Sequence, residues 1–493
     1  NNTKEGSSPL VSNWLAGGLA MTKTVNQNQV NVNLPNAQRV SYPVGITNDV
    51  FGGFTVTGDA TNNIATLTGV SSLGGDNDDH VAQNFYGGYS YTGTVSDNTV
   101  NINGGKFGGT IYGGAQGVLN NQYNLPQSMN DYFSQYAEGL SFTSTGDVKN
   151  NKVFITAGGN QSQFGNNGTV YGGLIEANLP TAGNTTKFGN VYDNTVTISG
   201  TGMANKVYGG AFITSSSENG DALQMGSVTY NHVDILDGGY GEVVAGGYYA
   251  INGTTVADLE NNSVTVDGGT IGDSVYGAYL SVSSGTYTGT GTVANNSVTL
   301  TKGTLSGSTY ADAVHVYGGY ANGGEGNNVT VKNNTVTIDD STLGSSIVDY
   351  VELLGGRSDY YALQNNTLTV SNSEIPTDGS VSTIAMAGAN ALYDYVDESL
   401  SGIVSGNTAN LQNNKIVTNY GGQIILAGGI NASYGKAWYG TKNADSNTLT
   451  MTGNTVGTVA DADDETGSKN YIAGGIAVGQ ADDNDKTLVP VKA

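Results

Sequence analysis

The sequence predicts an all-β chain wound into a β-solenoid, a parallel β-helix of about eleven irregular repeats with variable loops. Two recurring motifs and the composition predict this fold. Val, Thr and Tyr, which favour strands, are abundant beside Asn and Gly, which favour turns. The 75 glycines against only 7 prolines are typical of many tight corners between short strands.

The first motif is an Asn-Asn pair that leads into a short alternating strand, as in Asn-Asn-Thr-Val-Thr-Ile at 333–338. Alternation places the Val and Ile in the core together with the second Asn. Stacked asparagines satisfy amides that would be costly to bury alone, so we predict a ladder at one corner. Its members are Asn98, Asn194, Asn262, Asn296, Asn334 and Asn366, with weaker copies of the motif near Asn62, Asn150, Tyr230, Asn413 and Ser446.

The second motif is an apolar residue, a Tyr and two small residues, as in Val-Tyr-Gly-Gly at 207–210. Glycine permits positive φ and a close backbone approach, which predicts a second corner. The tyrosines are expected to stack on a second face at the strand spacing of about 4.8 Å. They are Tyr112, Tyr171, Tyr208, Tyr276 and Tyr317.

The spacing of the motifs separates a constant core from variable loops. From Asn98 to Gly113 and from Asn262 to Gly277 the separation is 15 residues, whereas Asn262 to Asn296 is 34 and Asn366 to Asn414 is 48. One winding per unit is favoured because each motif occurs once per unit, and two windings per unit is the alternative. The array is expected to span 48–480, after a start segment at 1–47 and before a tail or linker at 481–493.

Together these repeats resemble the passenger regions of bacterial autotransporters, the proteins of type V secretion, over residues 48–480. The resemblance implies a right-handed parallel β-helix on the cell surface, with roles in adhesion, self-association or biofilm formation. The segment 488–493 lacks the terminal aromatic strand of the membrane barrel that autotransporters carry, so the export route stays open.

Charge and composition argue against several partner classes. The net charge of −24 opposes nucleic acid and anionic membranes as partners. The absence of cysteine excludes disulfides, thiolate metal sites and cysteine nucleophiles. No stretch of about 20 apolar residues is present, so we expect no membrane insertion by this segment.

Catalytic chemistry has little support in the sequence, and we predict neither catalytic residues nor a bound cofactor. Gly272-Asp-Ser274 sits inside a repeat, and nothing in the sequence brings His80, His232 or His315 beside that serine. Arg357 follows a glycine pair and is interpreted as a solvated corner residue. A secreted polysaccharide-active enzyme on the same fold is the alternative, and it would need paired carboxylates.

Acidic clusters are the candidate metal sites. Calcium favours several hard oxygen ligands in loops, yet no complete calcium-loop spacing occurs. Solvated loops are therefore the favoured interpretation of these clusters. The calcium candidates are Asp76, Asp78, Asp79, Asp461, Asp463 and Asp464.

The predicted function is non-catalytic display of loops from a rigid rod on a bacterial surface. Expected partners are a host surface protein, a glycan or a sister molecule, and a self-polymerising filament or coat subunit is a further alternative. The segment Tyr123–Tyr136 is expected to form a short helix or cap. Segments that break the repeat are the predicted contact surfaces. They are 115–149, 212–228, 278–292 and 389–412.

Overall fold

The computed structural model shows an all-β chain in which parallel strands stack winding upon winding. Every regular element in the described residues is a β-strand. The described residues are 15–33, 49–69, 84–106, 109–117, 145–159, 168–177, 187–214, 225–251, 257–282, 291–307, 313–322, 329–344, 348–359, 362–375, 381–393, 403–418, 422–433, 444–458, 469–479 and 489–491.

Three kinds of strand recur in each winding, and we name them by their residues. The asparagine strands follow the Asn-Asn motif and alternate buried Val, Ile or Leu with outward polar residues. They are Gln29–Asn33, Ile64–Thr68, Thr99–Lys106, Lys152–Gly159, the first part of Thr195–Thr214, His232–Leu236, Ser263–Asp267, Ser297–Thr301, Thr335–Asp339, Thr367–Ser371, Thr408–Gln412 and Thr448–Thr452.

The tyrosine-glycine strands carry the second motif. They are Leu15–Ala20, Val50–Thr55, Phe85–Ser90, Ile111–Gly117, Thr169–Ala177, the last part of Thr195–Thr214, Tyr240–Ile251, Thr270–Val282, Ala313–Asn322, Tyr350–Ser358, Thr383–Tyr393, Gln423–Ser433 and Lys469–Gly479.

The corner strands are short and precede each asparagine strand. They are Val25–Asn26, Ala60–Thr61, Val95–Ser96, Val148–Lys149, Val191–Tyr192, Val228–Thr229, Leu259–Glu260, Gly291–Ala294, Val329–Lys332, Ala362–Gln364, Val404–Ser405 and Ala444–Asp445. The remaining strands are Thr304–Leu305, Thr342–Leu343, Lys415–Thr418, Thr455–Thr458 and Val489–Val491.

Equivalent strands pair in parallel from one winding to the next. Thr265 pairs with Thr299 and Thr299 with Thr337, so the register is kept across loops of different length. The asparagine and tyrosine-glycine strands belong to a 27-stranded sheet, and the corner strands form a 12-stranded sheet. At the C-terminal end, Val489–Val491 pairs antiparallel with the last tyrosine-glycine strand.

Each sequence unit forms one winding, because the 12-stranded sheet takes one corner strand from each unit. The sequence predicted about eleven windings, and the additional one comes from residues 15–33. Leu15 pairs with Val50 and Val25 with Ala60, so this part of the predicted start segment has the same winding pattern.

One weak motif copy was assigned to the wrong corner. The asparagine strand of the penultimate winding begins after Asn407, whose Nδ2 donates to Asn447 Oδ1 over 3.0 Å. Asn414, seven positions later, hydrogen-bonds with Asn454 in a different column. The Asn-Asn pair at 413–414 misled the sequence interpretation because both corners select the same residue types.

The first residue of each Asn-Asn pair has a left-handed backbone. The φ values are 58° for Asn261 and 55° for Asn333, with similar values at the equivalent positions of other windings. Asn, Asp and Gly tolerate this conformation best, which explains the motif. Tyr230 occupies the same position with φ of 57° and is 60% exposed.

We expect Tyr230→Asn to raise the free energy of unfolding by about 0.5–1 kcal/mol, because asparagine relieves left-handed strain that a tyrosine does not. Denaturant unfolding of the two proteins measures the difference. The reverse substitution at the equivalent corner, Asn261→Tyr, should lose a similar amount. Equal stability of all three proteins would contradict this explanation.

The glycine pair has a steric origin. A Cβ at Gly318 would lie 2.4 Å from the carbonyl oxygen of Gly355 in the next winding. A Cβ at Gly319 would lie 2.6 Å from Cγ of Asn334. The second position holds alanine in two windings, at Ala278 and Ala389, whereas the first position is glycine in every described winding. Backbone contact therefore restricts the first glycine more than the second.

Candidate functional site

The asparagine side chains form one unbroken column through the described windings. Nδ2 of Asn98 donates to Oδ1 of Asn151 over 2.9 Å, and Nδ2 of Asn151 donates to Oδ1 of Asn194 over 2.9 Å. From Asn63 onward, each Oδ1 also accepts the backbone N–H of the preceding member. The column contains Asn28, Asn63, Asn98, Asn151, Asn194, Asn231, Asn262, Asn296, Asn334, Asn366, Asn407 and Asn447.

This column includes all six asparagines that the sequence singled out. Asn262 is fully buried, and its Nδ2 also donates to the carbonyl oxygens of Val228 and Glu260. Because every donor and acceptor of such an amide is used between windings, the polar group stabilises the stack.

A second, shorter column was missed by the sequence interpretation. Ser341 N–H donates to Ser373 Oγ over 3.1 Å, and Ser373 N–H donates to Asn414 Oδ1 over 3.0 Å. Asn414 then donates to Asn454. The members of this column differ from winding to winding, so no repeated motif marks them in the sequence. Each is preceded by a residue with a left-handed backbone, such as Asp340 with φ of 49°.

The tyrosines lie on the face opposite the apolar interior. Val207 is buried in the inner cluster, so its neighbour Tyr208 points to the other side of the strand. Rings three residues apart are close, with 5.1 Å between the centroids of Tyr276 and Tyr279. An extended strand would separate them further, so the strand bends at the small pair and holds both rings on the inside of the bend.

The aromatic stack changes position halfway along the chain. Tyr112, Tyr171 and Tyr208 stack in sequence at 5.5 and 5.3 Å between centroids. The register partner of Tyr208 is Ala245, and the stack instead continues to Tyr248 at 4.6 Å.

Beyond that point Tyr248, Tyr279 and Tyr320 carry the stack. Tyr276 and Tyr317 lie beside it in the original position, 5.6 Å apart and tilted. Burial raises the pKa of all five predicted tyrosine hydroxyls. These are Tyr112, Tyr171, Tyr208, Tyr276 and Tyr317. The tyrosine layer is therefore a packed cluster of its own, separate from the apolar interior.

A polar cluster terminates the aromatic stack. Glu352 is 1% exposed and accepts hydrogen bonds from Tyr317 Oη, Arg357 Nη1 and, over 2.9 Å, Asn390 Nδ2. Arg357 also lies 5.3 Å from the ring centroids of Tyr317 and Tyr320. The interpretation of Arg357 as a solvated corner residue is wrong, because its side chain is 16% exposed and pairs with this buried carboxylate.

The histidines differ from the sequence interpretation. His315 is brought beside Ser274, with 3.3 Å between Nδ1 and Oγ, because the two residues pair in adjacent strands. Ser274 is 3% exposed, and its hydroxyl donates to Asp273 over 2.7 Å. Burial lowers the pKa of His315. His232 contacts Ser263 and Asp234 on the outer face, and His80 lies outside the described residues.

The calcium candidates lie outside the described residues. They are Asp76, Asp78, Asp79, Asp461, Asp463 and Asp464. Among the residues that the structure describes, no group of three or more His, Asp or Glu side chains is arranged to hold a metal ion. The segment Tyr123–Tyr136 and Arg39 also lie outside the described part of the chain.

Insertions leave the windings at two junctions. Some, such as 34–49 and 69–84, lie between an asparagine strand and the next tyrosine-glycine strand. The four predicted contact segments share the other junction, between a tyrosine-glycine strand and the next corner strand. The first windings cross it in short turns at 21–24, 56–59 and 91–94. A later winding needs residues 118–147 to cross the same junction. All four predicted contact segments fall there, and their interiors lie outside the described residues. Those interiors are 118–144, 215–224, 283–290 and 394–402.

Asp49 makes the stability of the first windings dependent on pH. Its side chain is 7% exposed and accepts a 2.8 Å hydrogen bond from Asn84, and burial raises its pKa from 3.8 to about 6. A raised folded-state pKa favours the protonated form. The stabilising contribution of the protonated Asp49 carboxyl to folding is therefore complete below pH 4 and is lost as the pH rises through 6.

We expect Asp49→Asn to remove up to about 3 kcal/mol of this pH dependence between pH 4 and 6. Unfolding free energies of the wild type and the variant at pH 4, 5, 6 and 7 measure it. The difference between them should grow in favour of the variant as pH rises. An identical pH profile in both proteins would contradict the assignment.

A comparison with protein-family models, curated proteins and solved structures finds no match for this chain.

Within the described ranges, no helix has the length and apolarity needed to cross a membrane.

Proposed function

We propose that the chain is a right-handed parallel β-helix of the bacterial cell surface, an autotransporter-type passenger that holds its insertions in rows for attachment. The supporting observation is the junction that the four predicted contact segments share. Because the windings keep register on both sides of it, segments distant in sequence lie in a line along the rod. The proposed partners are a host surface protein, a glycan or a second copy of the chain, and no step of attachment requires turnover.

Attachment is tested with beads coated with the purified chain. Binding is measured to host epithelial cells, to a glycan array and between the beads themselves. A variant in which residues 118–144 are replaced by a short Gly-Ser linker should lose most of its binding to at least one of the three targets: cells, glycans or other coated beads. A matched variant with Thr337→Ser on an asparagine strand keeps every insertion and should bind as the parent does.

Two results would refute this function. The first is absence of attachment to cells, glycans and coated beads alike. The second is release of reducing ends from a polysaccharide by the parent chain, which would favour the enzyme alternative. End-to-end growth of the free chain in light scattering at rising concentration would instead favour the filament alternative.

A further inference from the structure

Three side chains on the outer face form a hydrogen-bonded Ser-His-Asp arrangement. His232 Nδ1 lies 2.6 Å from Ser263 Oγ, and His232 Nε2 lies 2.6 Å from Asp234 Oδ1. Strand geometry builds it: His232 and Ser263 are register partners in adjacent windings, while Asp234 is two residues along the same strand. Residues related in these two ways project from the same face of a sheet.

We propose that Ser263 is a nucleophile for the hydrolysis of small O-acyl esters, with His232 as its base and Asp234 as the residue that orients the base. This inference goes beyond attachment and revises the expectation of a chain without catalytic residues. Asp234 accepts the Nε2 proton of His232, which leaves the Nδ1 lone pair directed at the Ser263 hydroxyl. A serine, a base and an orienting carboxylate define this chemistry by geometry and role, whatever fold presents them.

The site is open to a substrate. The side chains of His232 and Asp234 are 32% and 26% exposed. The Ser274–His315 pair contrasts with it, since Ser274 is 3% exposed and gives its proton to Asp273. Thr195 and Thr265 are the register partners of His232 and Asp234, so their hydroxyls flank the site on the same face.

The reaction proceeds through an acyl-enzyme. Ser263 Oγ attacks the ester carbonyl carbon while its proton moves to His232 Nδ1, and the leaving alcohol then takes that proton as the C–O bond breaks. Water, deprotonated by His232, cleaves the acyl-Ser263 ester, releases the carboxylic acid and restores the serine. The flanking hydroxyls are the donors for the oxyanion. Because the side chains of the site are partly exposed to solvent, which weakens such electrostatic stabilisation, turnover is slow.

Hydrolysis of p-nitrophenyl acetate and labelling by a fluorophosphonate probe test the proposal. The full chain should be labelled at Ser263, as located by peptide mapping. Ser263→Ala should lose both hydrolysis above background and the label. His232→Gln should lower the rate on the order of 100-fold, which is typical for removal of a general base.

The matched control is Ser297→Ala, in the same outward row one winding further on. Ser297→Ala and the buried Ser274→Ala should keep full activity and labelling. Two outcomes would overturn the proposal: a wild-type rate equal to that of Ser263→Ala, or a label that remains in Ser263→Ala. Circular dichroism melting of each variant shows whether the fold is intact, and bead attachment should not change in any of them.

Discussion

Replacement of Asn262 by alanine is expected to lower the free energy of unfolding by about 3–5 kcal/mol. Oδ1 of Asn262 accepts the backbone N–H of Asn231 over 3.1 Å and its Nδ2 over 3.0 Å. Both donors are buried. Alanine leaves the backbone N–H of Asn231 without an acceptor, whereas Asn231 Nδ2 keeps the carbonyl oxygens of Val191 and Thr229. The carbonyl oxygens of Val228 and Glu260 also lose their donor from this side chain. Denaturant unfolding followed by far-ultraviolet circular dichroism measures the loss.

The neighbouring residue provides the control. Asn261→Gly alters the half-buried corner one position earlier, where φ is 58° and glycine fits. Its effect should stay within about 0.5 kcal/mol. If Asn262→Ala cost no more than this control, the stacked amides would not be a source of stability.

Replacement of Arg357 by methionine is the second change with a large expected effect, about 3–5 kcal/mol at pH 7. It leaves the carboxylate of Glu352, which is 1% exposed, without its counter-charge. Addition of Glu352→Gln to the variant should recover part of the stability at pH 7, since the charge is then absent.

An exposed ion pair provides the comparison for Arg357. Lys415 lies 3.8 Å from Glu374, with side chains 44% and 56% exposed. Lys415→Met should cost less than about 1 kcal/mol, because solvent screens such pairs. Similar losses of unfolding free energy from Arg357→Met and Lys415→Met would show that the buried cluster stabilises the fold no more than an exposed ion pair does.

Much of the fold could be predicted because each repeat carries its own geometry. Alternation in Asn-Ser-Val-Thr-Val placed Asn262 and Val264 on the inner face, and the left-handed corner explains the choice of Asn, Asp or Gly before it. The glycine pair follows from packing that repeats in each winding, since the Asn334 amide occupies the space beside Gly319. These features repeat, so they appear as motifs.

Contacts that occur only once in the chain could not be predicted in this way. The stack moves from Tyr208 to Tyr248 because a single residue, Ala245, interrupts the original position. The cluster around Glu352 and Arg357 takes Tyr317 and Asn390 from the two neighbouring windings and has no repeating signal. The contact between His232 and Ser263 had a signal that was overlooked. The weak copy at Tyr230 aligns with the one at Asn261 and places these two side chains beside each other.

The stacking of successive windings in one register is the central claim, and pairwise cysteine cross-linking tests it most directly. The chain has no native cysteine, so an introduced pair is the only one present. Thr299 and Thr337 are register partners, so their Cα atoms lie about 4.8 Å apart, within the span of a disulfide. Thr299 and Thr369 are two windings apart, at about 9.6 Å, which is beyond that span.

Mild oxidation should therefore close a disulfide in the Thr299→Cys/Thr337→Cys protein and leave Thr299→Cys/Thr369→Cys reduced. Mass spectrometry of unreduced peptides reports the outcome. A disulfide in the second protein, or free thiols in the first, would contradict the stacked register on which the fold and both proposals depend.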